Sequence, residues 1–121
     1  MQPDNEPRSG SATPPNVVLV YATCPTVAEA ERIGGALVDR GLAACANILP
    51  GMTSIYVWEG RRHTDTEAVL ILKTRADLAD RAIAEAKALH TYDNPALVVL
   101  PVTGGSAEFQ AWVHAQTSSP R

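Results

Sequence analysis

Soft and borderline metal ions prefer thiol and imidazole donors, and the candidates singled out in this sequence are Cys24, Cys45 and His90. Cys24 lies in a predicted turn just before a helix, where the helix dipole favours a thiolate, so it could be exposed and reactive. Cys45 stands between two alanines in a predicted strand, and packing is the favoured interpretation there. His90 could bind copper or zinc, but a histidine that ends a helix is also favoured by the dipole alone, and that interpretation is preferred.

Aromatic and charged side chains near a predicted hairpin tip form a second group of candidates. Tyr56, Trp58 and Glu59 lead into the tip, and we expect them at a subunit interface first and in a small-ligand cleft second. Lys73 follows an apolar strand, so its ammonium should reach solvent or pair with a carboxylate. Trp112, with Phe109, should fix the last helix to its own or a neighbouring subunit.

Composition excludes several classes of protein. The ten Lys and Arg are scattered and the net charge is -3, which argues against nucleic acid as a partner. The longest apolar runs have the length of strands, so we expect no membrane span. Two cysteines without a CxxC pair predict a reduced, cytoplasmic protein without disulfides.

The first elements follow from local patterns. Residues 1–15 are rich in proline and poor in large apolar residues, which predicts a disordered tail; one domain should cover residues 16–117, and 118–121 should form a second tail. The run VVLVY from Val17 predicts a central strand buried on both faces. Thr26 and Glu29 match a capping box, and Gly41 fits a C-terminal glycine, so a helix should span about Thr26 to Arg40.

Residues 41–73 predict a long, broken β-hairpin around which the chain is arranged. It breaks at Pro50-Gly51, turns through residues 59–62 and returns as Glu67 to Lys73. In the returning strand Leu70 and Leu72 point to one face and Val69 and Ile71 to the other, so both faces should be covered.

The remaining elements complete a recurrent α+β architecture. Thr74 and Asp77 repeat the capping signature, which predicts a second helix to about His90. Ala96 to Val102 should be a strand, and Ser106 should cap a short third helix. The order β-α-β-β-α-β plus a terminal helix is the ferredoxin-like pattern, in which both crossover helices lie on one face of the sheet. The other face would then be a large apolar patch, so we expect sheets to pack face to face in a homo-oligomer.

Three segments also resemble one known family. They are GLAACANILPG at 41–51, TSIYVWEG at 53–60 and LKT at 72–74, followed by His90, Tyr92 and Pro95 and by Trp112. They look like the CutA family of divalent-cation tolerance proteins, over about residues 17–116. The resemblance implies a homotrimer of ferredoxin-like subunits, similar in shape to the nitrogen-signalling PII proteins. It also implies a cytoplasmic location and a role linked to copper and other divalent metals, and it adds Tyr92 to the cleft or interface candidates.

The resemblance implies a metal site only in part. Copper-binding members use a cysteine, a histidine and a carboxylate at positions that here read Ala22, His90 and Ala96. Cys24 and Asp93 lie close to the two missing positions, so the candidate ligand set is His90, Asp93 and Cys24. Thr91 replaces the usual proline after the histidine, which removes a rigid position from that loop.

These observations leave two functions open. The first is a trimeric protein of the response to divalent metal, copper above all, which could bind the metal itself. The second is a PII-like signalling or interaction module that binds a small ligand or partner at subunit clefts without metal. An enzyme is not expected, because the loop from Ala22 to Thr26 has no arginine to hold an anion and no catalytic pairing is evident.

Overall fold

A computed structural model of the chain describes residues 16–117, and both predicted tails, residues 1–15 and 118–121, lie outside this range. The described part is an α+β fold of one antiparallel sheet and three α-helices. The strands are β1 (Val17–Cys24), β2 (Cys45–Trp58), β3 (Arg61–Arg75) and β4 (Leu97–Pro101); the helices are α1 (Val27–Asp39), α2 (Ala79–Leu89) and α3 (Ala107–Thr117). This order along the chain is the predicted one.

The four strands lie in the order β2-β3-β1-β4, so β1 and β3 are central and β2 and β4 form the edges. Every neighbouring pair is antiparallel. Since cross-strand partners share a face, the pairs Leu19 with Leu100 and Tyr21 with Val98 place four apolar side chains on one side of the sheet.

Helix α1 begins and ends as its sequence predicts. The hydroxyl of Thr26 accepts a hydrogen bond from the Glu29 N–H at 3.1 Å, and Gly41 has a φ of 72°, which favours glycine. Gly34 lets the helix approach the sheet, because an added Cβ would come within 2.9 Å of the Cβ of Ala46. The carboxylate of Glu29, however, bonds Thr91 at the far end of α2.

The second predicted capping box is wrong. Strand β3 continues to Arg75, where it pairs with Val17, and Thr74 is buried and donates its hydroxyl proton to the Leu42 carbonyl at 2.7 Å. A short 3₁₀ turn, Ala76–Leu78, follows, and α2 begins at Ala79 without a side-chain cap. Pairing with β1 therefore decides the end of β3 over the local capping signature.

The hairpin is longer and tighter than predicted. Its turn consists of Glu59 and Gly60 alone, with φ angles of 51° and 77°, as in a type I′ turn. Because this turn matches the strand twist, β3 already begins at Arg61 rather than at Glu67. The break at Pro50-Gly51 is a bulge between Leu49 and Met52 within one continuous strand.

The two faces of the sheet differ in their cover. The face that carries Val20, Leu70 and Leu72, here the covered face, packs against α1 and α2 and forms the main core. The opposite face, here the open face, carries Leu19, Tyr21, Ile71, Val98 and Leu100. Helix α3 packs at one end of this face, where Val113 meets Val17 and Ala44.

Exposed large apolar side chains concentrate on the hairpin, β4 and α3. On these three elements they are Leu49, Ile55, Tyr56, Val57, Trp58, Val98, Val99, Leu100, Phe109 and Trp112; Val27 and Tyr92 are exposed elsewhere. Within residues 16–117, no helix has both the length and the apolar character that a membrane crossing requires.

Candidate functional site

His90 lies at the end of α2 with its side chain only 1% exposed. Its Nε2 is 2.8 Å from the carbonyl oxygen of Thr23, on β1. A carbonyl only accepts, so Nε2 must carry the proton. Nδ1 accepts the backbone N–H of Tyr92 at 3.1 Å. Both ring nitrogens are therefore engaged with backbone groups, Nε2 on the neighbouring strand β1 and Nδ1 two residues further along the chain.

Glu29 brings a carboxylate from α1 to the same place. Its oxygens accept the N–H of Thr91 at 3.1 Å and the Thr91 hydroxyl at 2.8 Å. One oxygen also lies 3.3 Å from Nδ1 of His90, and the guanidinium of Arg32 is 3.8 Å away. This carboxylate, which is almost buried, therefore joins α1 to the segment that follows α2.

Cys24 is the last residue of β1 and is fully buried on the covered face. Burial, assisted by the nearby carboxylates of Glu29 and Glu67, raises the pKa of its thiol to about 11. The hypothesis of an exposed, reactive thiolate at Cys24 is wrong, because the strand runs through the residue that was assigned to a turn. Cys45 is the more accessible thiol, and its Sγ lies 3.4 Å from Oδ1 of Asn47.

The three candidate metal ligands do not form a ligand set in this arrangement. Among residues 16–117, no group of three or more His, Cys, Asp or Glu side chains is placed to hold a metal ion. Cys24 offers a buried thiol of raised pKa, His90 has both nitrogens bonded, and Asp93 lies on the exposed segment after it. The donors present therefore do not fit a preformed copper site.

A second cluster of polar groups lies on the open-face side of the hairpin. The Tyr56 hydroxyl donates to Asp65, and the Tyr56 ring stacks on His63 with centroids 5.3 Å apart. The Tyr92 hydroxyl donates to Glu67 at 2.8 Å. The hydrogen bond to Asp65 raises the pKa of Tyr56, and partial burial together with Glu67 raises the pKa of Tyr92.

Lys73, Phe109 and Trp112 form a third cluster near the base of β3. The Lys73 ammonium lies 5.3 Å from the centroid of the Phe109 ring, which in turn is 5.7 Å from that of Trp112. Trp112 also borders an open groove of about 520 Å³ between α1 and the edge of β2. Phe109 and Trp112 stay exposed beside the sheet, and Val113 makes the buried contact of α3. The Lys73 ammonium, expected in solvent or beside a carboxylate, lies against the Phe109 ring.

The six predicted cleft or interface residues therefore belong to different places. Tyr56, Trp58 and Glu59 lie on the hairpin, and Tyr92 lies close to it through Glu67, whereas Lys73 and Trp112 lie at the other end of the sheet. The sequence analysis missed the carboxylates at the centre of two clusters. Asp65 and Glu67 belong to the hairpin cluster, and Glu29 belongs to the cluster around His90. The alternation of His63, Asp65 and Glu67 on one strand face was a usable signal for the first pair.

Comparisons with known proteins agree on one family. Residues 18–116 match the family model described as CutA1 divalent ion tolerance protein. The chain is 42% identical to "Protein CutA 1, chloroplastic" from Oryza sativa subsp. japonica over 90% of its own length and 61% of that protein. It is 40% identical to "Divalent-cation tolerance protein CutA" from Salmonella newport over 84% of its own length and 88% of that protein.

Solved structures give the same result. The fold superposes on CutA1 from Oryza sativa with a TM-score of 0.84 at 40% identity, covering 88% of this chain and 97% of that one. For CutA1 from Ehrlichia chaffeensis the TM-score is 0.82 at 42% identity, covering 85% and 96%. The chain spans only 61%, 58% and 64% of the rice, Arabidopsis and mouse relatives. From its sequence motifs, its fold and these matches, the chain belongs to the CutA1 family of divalent ion tolerance proteins.

Proposed function

We propose that this chain is a divalent-cation tolerance protein that works as a homotrimer of ferredoxin-like subunits in the cytoplasm. The observation that carries the proposal is the open face of the sheet. Val98 is 50% exposed and Leu100 43% exposed there, although both are strand residues of a type that sheets bury. A contiguous patch of exposed apolar side chains is typical of a surface that another protein covers, and a second copy of the chain has the same apolar surface.

The hairpin supports the same assembly. Trp58 is 58% exposed and Val57 69% exposed near the tip, on opposite faces of one strand. A two-stranded ribbon is marginally stable alone, so a long hairpin with apolar groups on both faces gains stability by packing against a neighbouring subunit. The proposed trimer brings each hairpin against another copy, and the chain's own copies are the only partner proposed; nucleic acid has no part in it.

The proposed role in cation tolerance does not depend on a preformed site at His90, Asp93 and Cys24. Metal could reach His90 only after a hydrogen bond to Thr23 or Tyr92 is broken, and the Cys24 thiol would have to lose its proton inside the core. The proposal includes no catalytic step. The assembled trimer, rather than one subunit's ligand set, is the proposed functional unit.

Light scattering of the purified chain tests the assembly. We expect the mass of a trimer for the unmodified chain and a monomer mass for the double variant Val98→Asp, Leu100→Asp, because two carboxylates on the open face would be buried by a partner. Ala84→Asp on the exposed side of α2 is the matched control and should stay trimeric. A monomer at every concentration for the unmodified chain would refute the proposal.

Copper(II) titration of the chelator-stripped trimer tests the statement about metal. We expect no tight binding that depends on His90, because its two nitrogens are engaged. Binding at one site per subunit that His90→Ala abolishes would show that the site around His90 rearranges to accept copper, and it would restore the predicted ligand set. Equal binding heat for the unmodified chain and His90→Ala would show that His90 does not bind the copper ion.

The polar cluster on the hairpin favours a second candidate function, a PII-like module that binds a small ligand at a subunit cleft. Two phenols and two carboxylates lie close together there, each phenol bonded to one carboxylate. Such groups recognise ligands that carry cationic or hydroxyl groups. A thermal-shift screen of a small-molecule library with the unmodified trimer and its Glu67→Gln variant tests this candidate. A compound that raises the melting temperature of the unmodified protein but not of the variant would support a ligand site there.

A further inference from the structure

We propose that a second copy of the chain completes the polar cluster of the hairpin, because its Arg61 guanidinium binds the carboxylates of Asp65 and Glu67. This contact rests on the proposed homotrimer and deepens it, since it names the side chains through which one hairpin recognises the next. It also gives the cluster an occupant other than a small ligand.

The hairpin projects beyond the four-stranded part of the sheet. Strand β1 ends with the pair Cys24 and Ala68, so residues 61–67 of β3 pair only with β2. A two-stranded ribbon is marginally stable in water on its own. The projecting ribbon, residues 52–67, is therefore the part of the subunit that gains most from contact with another copy.

Charged side chains of both signs follow one face of this ribbon. Alternate residues of a strand share a face, and those on the open-face side are Arg61, His63, Asp65 and Glu67. Arg62 points to the other side and Glu59 lies in the turn, so the tip has a net positive charge. The carboxylates lie toward the base, and about 13 Å of strand separates Asp65 from Arg61 in one copy.

Neither the guanidinium nor the two carboxylates form an ion pair within residues 16–117. Asp65 accepts a hydrogen bond from the Tyr56 hydroxyl, and Glu67 accepts one from the Tyr92 hydroxyl. A phenol is neutral, so it orients a carboxylate without compensating its charge. Two oriented negative charges therefore face the open side of the ribbon, and Arg61 carries the matching positive charge on the same side.

This pattern is complementary between copies. A guanidinium forms paired hydrogen bonds with a carboxylate and stacks on aromatic rings, and Tyr56 supplies a ring beside Asp65. Each hairpin offers a cation at its tip and acceptors toward its base, so each copy gives one contact and receives one. Such a head-to-tail contact closes into a ring when the rotation between copies is that of a trimer.

Trp58 supplies the apolar part of the same contact. It is the cross-strand partner of Arg61, and its side chain is exposed in the single subunit. Tryptophan and arginine are both enriched at the centres of protein interfaces. A neighbouring copy that covers Trp58 also excludes water from the pair formed by Arg61, and an ion pair is stronger where water is excluded.

Cross-linking of the full chain with a carbodiimide, which joins an amine to a carboxylate in direct contact, tests the proposal. Arg61→Lys keeps the cation and provides the amine. We expect covalently linked copies on a denaturing gel, and mass spectrometry should locate the link between position 61 and Asp65 or Glu67. Arg62→Lys places the same amine on the opposite face and is the matched control, so it should give only the products of the unmodified chain.

Charge reversal gives a second readout. We expect the Arg61→Glu trimer to dissociate at a protein concentration about tenfold higher than the Arg62→Glu trimer, as measured by light scattering on dilution in a fixed urea concentration. Adding Asp65→Arg to Arg61→Glu should restore part of the lost association, because the two charges are then exchanged. A purely structural role of Arg61 within its own subunit would give no such recovery.

Two results would overturn the inference while the proposed trimer stands. One is a trimer in which Arg61→Lys yields no more linked product than Arg62→Lys. The other is a trimer in which added methylamine, with the carbodiimide, couples to Asp65 and Glu67 of the unmodified chain, since the cluster would then be open to a small cation. A monomer mass for the unmodified chain would instead refute the proposed assembly, and the inference with it.

Discussion

The covered and open faces of the one sheet have similar sequences and different surroundings. On β3, Leu70 and Leu72 are fully buried under helices α1 and α2, while Ile71, between them, points to the side that only α3 reaches. The strand is apolar on both faces, yet α1 and α2 cover one face fully, whereas α3 covers only one end of the other. Under the proposed assembly, the covered face stabilises the subunit and the open face stabilises the contact between copies.

The largest effect should come from removing a covered-face side chain. Leu70→Ala leaves a cavity in the main core, and we expect it to lower the free energy of unfolding by about 2–5 kcal/mol. Leu100→Ala on the open face should cost less within a subunit and should instead weaken association. Urea unfolding at a fixed protein concentration measures the stability of each variant, and light scattering measures its association. Equal losses of stability in the two variants, without dissociation of Leu100→Ala, would show that the two faces do not differ.

Two neighbouring glycines of α1 sharpen the contrast further. Gly34→Ala forces a methyl group to within 2.9 Å of Ala46 and 3.1 Å of Leu70, so we expect a loss of about 1–3 kcal/mol. Gly35→Ala meets no atom within 4 Å, and alanine favours the helix by up to about 1 kcal/mol. Thermal unfolding of the pair should show shifts of opposite sign. A loss at Gly35→Ala would mean that a partner fills the groove beside it.

The buried thiol of Cys24 on the covered face makes the stability of the fold depend on pH. Burial raises the pKa of the Cys24 thiol to about 11, above its ordinary value of 9.0. Between these two pH values the thiol is ionised in the unfolded chain but still protonated in the folded one. The stability due to Cys24 is complete below about pH 9 and falls as pH rises toward 11. Cys24→Ala should flatten this part of the stability curve. Identical slopes for the unmodified chain and Cys24→Ala would contradict the burial argument.

The smallest effect should come from the hydrogen bond between Tyr92 and Glu67. Tyr92→Phe removes it at an exposed position, and we expect a loss of about 0.5–1.5 kcal/mol in the free energy of unfolding. Chemical denaturation with Glu67→Gln as the partner variant completes a double-mutant cycle. A coupling energy near zero would show that the two side chains act independently.

Prediction from the sequence succeeds where one local pattern decides the structure. The Thr26 cap, the glycine after α1 and the Ser106 cap of α3 were all predicted, and the Ser106 hydroxyl accepts the Phe109 N–H at 3.2 Å. Thr74 shows the limit of such patterns. It has the sequence of a cap, but the pairing of β3 with β1 requires it in the strand, and long-range pairing outweighs a local signature.

The candidate site was harder to predict because its key partners are distant in sequence. Glu29 was explained by the cap of its own helix, so nothing pointed to Thr91, which is 62 residues away. The sequence Cys24-Pro25 predicts a turn, but a strand can also end directly before a proline, and β1 runs through Cys24. Burial, which decides the chemistry of Cys24 and His90, depends on the packing of α1 and α2 and cannot be read from their own neighbours.

The strand order also determines when each part of the chain can fold during synthesis. The hairpin between β2 and β3 closes through a two-residue turn, so its pairs are near in sequence and form early. Strand β1 is made first, but it pairs only with β3 and β4, and β4 ends at Pro101. This largely apolar strand therefore leaves the ribosome long before its second neighbour, β4, exists. A nascent chain stalled before residue 97 should be the species most dependent on chaperones.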